Sequence, residues 1–562
     1  MRFRRMVPVA AALATVLSVG LGAAGGRASI EETDLKSWLT YLASDELEGR
    51  SVYTEGLGLA AGYIQDHLRE WGVTPAGDHG GYLQVVKVKS IKTTSHSTLT
   101  VQVGKDTRVF KDGDGITFPR NMGAKRTFTI DRVEFAAYGL DAPGAGYTDL
   151  AGKNFEGAAV IYVGIRGPKE LDADTGRRLL GGRGRWLTDQ MHAAAAIGQE
   201  PRLDPPSRPN GGNGNAAAGG TGADRRERPD FVTTQRIDVP ISPAVSANDQ
   251  LLQFLFSKAP EKYDDLRKKA DARESLTGFR LNGVTLTFNI DADYDIIRTQ
   301  YTQNVVGLVE GSDPELKSTY VAVGAHYDHV GYADNELSAD QKRPGAPGRV
   351  TAGAETDRIW NGADDDGSGT VAVMALARAF AQGPRPKRSV LLVWHAGEER
   401  GLYGSRYFAD YPTVPLDHVV AQLNIDMIGR NRDDKPSEAN TVYLVGSDRI
   451  STELHDINRQ ANRALEQPMT LDYEMNDSGD PEQIYFRSDH YSYAAKGIPI
   501  IFFTTGLHPD YHANTDEVSK IEFPKLTRVT GLVYETAWRL GNLDHAPVRD
   551  FKGPRAGKGT RE

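Results

Sequence analysis

The stretch YVAVGAHYDHVG, residues 320–331, opens with six small or apolar residues and turns abruptly polar at His326, Tyr327 and Asp328. An uninterrupted apolar run of this length, without a 3.6-residue period, reads as a strand covered on both faces. The same design recurs downstream. SVLLVW (389–394) runs into His395-Ala396-Gly397-Glu398-Glu399, AQLNI (421–425) into Asp426, and IPIIFF (498–503) precedes Tyr511-His512-Ala513-Asn514-Thr515-Asp516. Helical patterns fall between these runs, after Gly369, over 450–465 and over 525–540. From Leu286 to Leu540 the alternation predicts an α/β sheet with helices on both faces, whose ligands lie beyond the strand C-termini.

Outward from this core, the 562-residue chain is long enough for two to four domains at about 150 residues each. Its net charge of −9 and lack of any Lys/Arg block argue against nucleic acid as a partner. The absence of cysteine excludes disulfides, thiolate metal sites and cysteine nucleophiles. At the N-terminus, Arg2, Arg4 and Arg5 precede an apolar run from Val7 to about Ala24 with a small-residue exit. This is a secretory signal pattern over residues 1–28, which predicts a secreted or periplasmic protein; a retained membrane anchor is the competing reading.

Residues 34–72 read as helix, turn, helix, with Leu35, Trp38, Leu39 and Leu42 on one face and Ala60, Tyr63, Ile64 and Leu68 on another. Valine-, threonine- and aromatic-rich runs fill 82–165, ending in the strand-like AAVIYVGI (158–165). Residues 200–230 carry almost no large apolar side chain and are expected to form a disordered loop, after which VPISPAV and a helical run over 250–272 complete the same domain. The basic, Gly/Pro-rich residues 546–562 are expected to form a flexible tail.

Between the first two central strands lies NGADDDGSGT (361–370), which brings Asp364, Asp365 and Asp366 to the start of a helix. Single carboxylates after strands are usually caps or loop residues. Five His and carboxylate groups at successive strand ends converge on one sheet edge, and this mixed N/O donor set suits zinc, with cobalt or manganese as substitutes. Ser368 has no glycine two residues before it, so the G-x-S-x-G elbow of a serine hydrolase is absent. No H-E-x-x-H occurs either.

The set GAHYDHVG, NGADDDGSG, WHAGEERGLYGS, NIDMIGR and YHANTDE, with the opening LASDELEGR (42–50), resembles metallopeptidase family 28, the co-catalytic di-zinc aminopeptidase type. The segment around AAYGLDAPGAGYTDLAGKNFEGAAVIYVG resembles a protease-associated domain. The resemblance implies a zinc-exopeptidase (phosphorylase/hydrolase-like) fold, a three-layer αβα mixed sheet with an inserted β-rich protease-associated domain. Its boundaries would be 29–118 for the N-terminal peptidase part, 119–290 for the insertion and 291–545 for the catalytic domain.

The same resemblance implies two Zn2+ per chain, one held by His326, Asp365 and Asp426 and the other by Asp365, Glu399 and His512, with Asp365 shared. Three protein groups per ion leave room for a water that the ions activate. Glu398 is then the general base, Asp328 the acceptor that fixes the His326 tautomer, and Tyr485 a candidate oxyanion donor. His329, His395 and His490 are expected to pack or support rather than ligate, and His192, in the insertion, to be a surface residue. The implied activity is hydrolysis of N-terminal residues from peptides. A carboxypeptidase would need a basic pocket, for which Arg430, Arg432 and Arg487 are candidates; a non-catalytic, receptor-like binding protein is the third reading. The insertion would act on substrate access rather than chemistry. Oligomeric state and side-chain preference stay open.

Overall fold

The computed structural model describes residues 26–200, 228–333, 341, 346–553 and 555–562. The expected signal segment (1–25 of it) and most of the glycine-rich loop (201–227) lie outside the described residues. Contacts divide the chain into two units: residues up to 87 with 301–476 and 484–562, and residues 88–300 with 477–483.

The first unit begins with α1 (Glu32–Leu42) and α2 (Glu55–Glu70). Leu57, Ala60, Ala61, Ile64 and Leu68 of α2 are buried at spacings of three and four, which gives one apolar face. The sheet follows, with β1 (Ala292–Val309), β2 (Tyr320–His326), β3 (Ser389–His395), β4 (Val419–Ile425), β5 (Thr441–Val445), β6 (Thr470–Asp472) and β7 (Ile500–Thr504) in the spatial order β1-β3-β2-β4-β7-β5-β6. The four central strands β3, β2, β4 and β7 are parallel, whereas β1 and β5 run antiparallel to their inner neighbours. The sheet is therefore mixed, as expected.

Successive side chains of a strand point to opposite faces, and both faces here are dry. Val321, Val323 and Ala325 of β2 and Val390, Leu392 and Trp394 of β3 enter a core with α1, α2, α3 (Gly369–Gln382), α4 (Thr452–Arg463) and α5 (Phe523–Asn542). Ala322, Leu391, Val393 and Phe502 enter the opposite core with Leu402, Phe408, Tyr491 and Tyr493. Double coverage explains why the strands read as unbroken apolar runs.

The second unit holds its own sheet of ten strands, with helices Ala173–Arg185, Asp249–Leu255 and Tyr263–Asp271. The Asn248 side chain caps the second of these by accepting from the Leu251 N–H at 3.1 Å. Its extent differs from the expected 119–290. Strands Thr98–Val103 and Asp106–Asp112 belong to it, because Thr98–Val103 pairs antiparallel with Val284–Ile290. After the second unit the chain re-enters the first sheet at β1 rather than near Leu286, beside the strand Leu83–Ser95 that joins the sheet earlier in the chain. Composition hides this border, since β-rich sequence lies on both sides of residue 118.

The tail also departs from expectation. The Leu471 N–H donates to the Glu562 carbonyl at 2.8 Å and Glu562 returns the bond at 2.9 Å, while the Arg555 and Ala556 N–H groups donate to Asp448 Oδ2. Two ion pairs, Arg561 with Asp472 and Arg459 with Glu562, reinforce the docking.

One side chain ties the N-terminal segment to the sheet. Arg50, 1% exposed, donates to the carbonyls of Leu42, Tyr327 (3.1 Å), Asn361 (2.7 Å) and Gly362 (2.9 Å). Burial lowers its pKa to about 10, against the pull of Asp328, Asp516, Asp366 and Asp365, so it remains a cation at neutral pH. Arg50→Met leaves four buried carbonyls without that donor and nearby acids without their countercharge. It is expected to lower the unfolding free energy by about 3–5 kcal/mol in a urea titration, where a surface arginine would cost under about 1 kcal/mol.

Candidate metal centre

Because β2 and β3 are parallel with His326 opposite His395, and β4 lies on the other side of β2, all three deliver their C-terminal residues to one edge. His326 closes β2, Glu398 and Glu399 follow β3, and Asp426 follows β4. The loop into α3 brings Asp365 to the same edge. Gly362 starts that loop at φ 57°, where a Cβ would strike the Asp365 carbonyl and the His329 ring, so glycine is required there.

The three consecutive aspartates divide their work. Asp364 Oδ1 accepts from the Gly429 N–H at 2.6 Å, and Asp366 Oδ1 accepts from the N–H groups of Gly369 (2.9 Å) and Met427 (3.2 Å). Both side chains thus hold backbone. Asp516 Oδ2 in turn accepts from the N–H groups of Asp364 (3.0 Å) and Asp365 (3.1 Å), and the Asp365–Asp366 peptide is cis. Of the three side chains, Asp365 is the one aimed into the centre.

Its two oxygens face two groups of donors. Oδ1 lies 3.3 Å from His326 Nε2, which is 3.7 Å from Asp426 Oδ1. Oδ2 lies 3.3 Å from His512 Nε2, which is 3.1 Å from Glu399 Oε2. All five expected ligand residues therefore come together, with Asp365 between the pairs. His326 Nε2, Asp365 Oδ2 and Glu399 Oε1 are buried without a hydrogen-bond partner, so donor atoms converge on space that a cation would satisfy. Imidazole nitrogen with carboxylate oxygen is a zinc-type donor set, and the residues fit a pair of such ions.

In the protein alone these groups perturb one another strongly. Burial would depress the His326 imidazole, but Asp426, Asp328 and Asp365 outweigh it and raise its pKa well above the ordinary value. Burial would raise Glu399, yet His512 and His329 hold it well below the usual carboxylate range. Burial pushes the Glu398 carboxyl well up, with Glu399, Asp426 and Asp489 adding to the rise against the pull of His326.

Two expected roles need correction. The acceptor nearest His326 Nδ1 is the main-chain carbonyl of Asp328, at 3.0 Å, while the Asp328 carboxylate is 3.7 Å away. That carboxylate instead accepts from the N–H groups of Gly397 (2.7 Å) and Glu398 (3.1 Å) and so fixes the turn carrying Glu398. Tyr485 is 2% exposed, its ring lies against the Arg449 guanidinium at 3.9 Å, and it does not line the cavity. The His490 ring bonds to the Tyr485 carbonyl at 2.8 Å, and Tyr485 is part of the buried cluster that also holds Tyr491 and Phe502.

The cavity, about 470 Å³ with its mouth, is lined by the polar groups Asp365, Glu398, Asp426 and His512 and by the apolar side chains Met427, Met475, Ile484, Phe502 and Leu507. Arg487 and Tyr511 also line it, and Arg487 donates to the Tyr511 hydroxyl at 3.1 Å. The other two candidate arginines are engaged elsewhere, Arg430 with Asp434 and Asp510 and Arg432 with Glu474.

Sequence reasoning missed Ser488, which donates to Asp426 Oδ2 at 2.7 Å and orients it. His329, expected to pack or support rather than ligate, has its Nδ1 2.8 Å from Glu399 Oε1. His395 and His490 do stay apart from the ligand groups; burial pushes each down to about 3, which keeps them neutral.

The sequence profile of Peptidase family M28 matches residues 304–537. The chain is 36% identical over 132 residues to a probable zinc metalloprotease of Leptosphaeria maculans, covering 24% of this chain and 26% of that protein. It is 27% identical over 256 residues to leucine aminopeptidase 1 of Trichophyton equinum, covering 43% of this chain and 60% of that one. Both alignments span less than two thirds of the relative's length. Among solved structures, an aminopeptidase from Aneurinibacillus sp. strain AM-1 aligns over 96% of this chain and all of its own, at 16% identity and a TM-score of 0.43. The stretch that matches Peptidase family M28, residues 304–537, contains every candidate ligand.

Proposed function

We propose that the protein is an exported di-zinc exopeptidase that removes N-terminal residues from peptides. The observation that carries this reading is Asp365, whose two oxygens face His326 and Asp426 on one side and Glu399 and His512 on the other. His326, Asp365 and Asp426 would hold one ion, and Asp365, Glu399 and His512 the other. When bound, such ions polarise a carbonyl and lower the pKa of a water toward about 7.

The chain's own groups do the rest. Glu398 takes the proton of the attacking water and returns it to the leaving amine, and its burial-raised pKa suits a group that must do both. The Asp328 carboxylate keeps Glu398 in place through two backbone N–H groups. Met427, Met475, Ile484, Phe502 and Leu507 form a wall for an apolar side chain, and the carboxylates beside it favour a protonated terminal amine. The aminopeptidase names of relatives support the same end of the peptide. Export rests on the charged, apolar N-terminal pattern, and the unit spanning 88–300 is proposed to be a protease-associated domain.

Arg487 favours a second reading, a carboxypeptidase, because a guanidinium in the cavity wall could pair with a terminal carboxylate. Peptides blocked at one end decide between them. Amine-blocked peptides should resist cleavage and carboxyl-blocked ones should be trimmed; the opposite pattern selects the second reading.

Purified protein should contain two zinc ions per chain by elemental analysis and lose activity to a chelator. Glu398→Gln should retain both ions and the fold but lose about 100- to 10,000-fold in kcat, because only proton transfer is removed. Loss of an ion in that variant would show that Glu398 is itself a ligand.

A further inference from the structure

His329 stands closer to the donor groups than the expected ligand set requires. Its side chain is fully buried, with Nδ1 2.8 Å from Glu399 Oε1 and 3.9 Å from Asp365 Oδ2. At 2.8 Å a well-aligned N–H···O contact would count as a hydrogen bond, yet His329 Nδ1 and Glu399 Oε1 both lack one. Two buried polar atoms brought together without a shared proton in line are costly unless something between or beside them answers both. Glu399 thus has an imidazole at each oxygen: His329 at Oε1 and His512 at Oε2, the latter 3.1 Å away.

We propose that His329 is a fourth protein donor to the ion held by Asp365, Glu399 and His512, an inference that rests on the di-zinc reading above. Donors on one zinc, with bonds of about 2.0–2.1 Å, lie about 3.3 Å apart at tetrahedral angles. From Asp365 Oδ2, His512 Nε2 is 3.3 Å and His329 Nδ1 3.9 Å away, and Glu399 meets the same two imidazoles at 3.1 and 2.8 Å, one with each oxygen. On this assignment Glu399 and the Asp365 carboxylate common to both ions supply the negative charge, and two neutral imidazoles complete the shell.

The consequence is a division of labour. Four protein donors close a zinc coordination shell, whereas three leave a position open. The open position therefore belongs to the ion of His326, Asp365 and Asp426; Asp365 and Asp426 line the cavity with Glu398, as His512 of the other ion also does. The His329 side would serve to anchor Asp365 and Glu399, so its loss should affect metal retention more than substrate affinity.

The test is zinc X-ray absorption on the fully loaded wild-type protein, with zinc retention measured by chelator competition in His329→Ala and His329→Gln. Three imidazoles shared between two zincs are expected, together with a loss of more than about 100-fold in affinity for one zinc in both variants, the other zinc being held as in the wild type. Glutamine can still hydrogen-bond to Glu399. Wild-type affinity in His329→Gln, or only two imidazoles per zinc pair, would therefore overturn the proposal and make His329 a positioning residue. Should the alanine variant not fold, the wild-type imidazole count and the glutamine variant decide. A wild-type chain that binds fewer than two zincs would overturn both this inference and the reading beneath it.

Discussion

The candidate centre depends on a single buried guanidinium. Arg50 donates to the carbonyl of Tyr327, between His326 and Asp328, and to those of Asn361 and Gly362, where the aspartate loop begins. Its own carbonyl accepts the His329 N–H at 3.2 Å. One side chain from the N-terminal segment thus fixes the two loops that supply His326, His329 and Asp365. A lysine could not do the same, since its ammonium is a compact point donor without the planar fork that reaches several carbonyls at once.

That cation also answers an electrostatic difficulty. Asp364, Asp365, Asp366, Asp426 and Asp516 are all buried within the same region, and buried carboxylates repel one another and resist desolvation. The protein manages this by giving most of them backbone N–H donors: Asp364, Asp366, Asp516 and also Asp328 each accept from main chain. Asp366, which burial pushes well above the usual range, shows that the compensation is incomplete in the protein alone. Asp365, Glu399 and Asp426 face imidazoles instead, the arrangement in which a bound cation would do most to relieve the remaining repulsion.

Much of this was legible in the sequence, for identifiable reasons. Strands covered on both faces leave unbroken apolar runs, so β2, β3, β4 and β7 stand out, and ligands placed directly after them are found with them. Asp365 was separable from Asp364 and Asp366 only through the family pattern, because three adjacent aspartates have no periodicity to distinguish backbone-holding from cavity-facing side chains. Asp328 shows a different limit. A residue two positions beyond a histidine can serve it through either its carbonyl or its carboxylate, and spacing cannot tell which. Tyr485 rested on the resemblance alone, and in the folded chain it is Tyr511, not Tyr485, that lines the cavity. The border of the second unit escaped because it runs through β-rich sequence on both sides.

The docked C-terminal residues have a further consequence. β6 stands at the margin of the sheet, and a margin strand offers unpaired N–H and C=O groups to any extended chain that approaches. Here Glu562 and Arg561 already take up the backbone positions opposite Leu471 and Asp472. The protein thus shields this rim with its own chain, which disfavours edge-to-edge association between copies. A substitution that breaks the Arg561–Asp472 pair would loosen that shield, so its effect would be felt as colloidal behaviour before it was felt as chemistry.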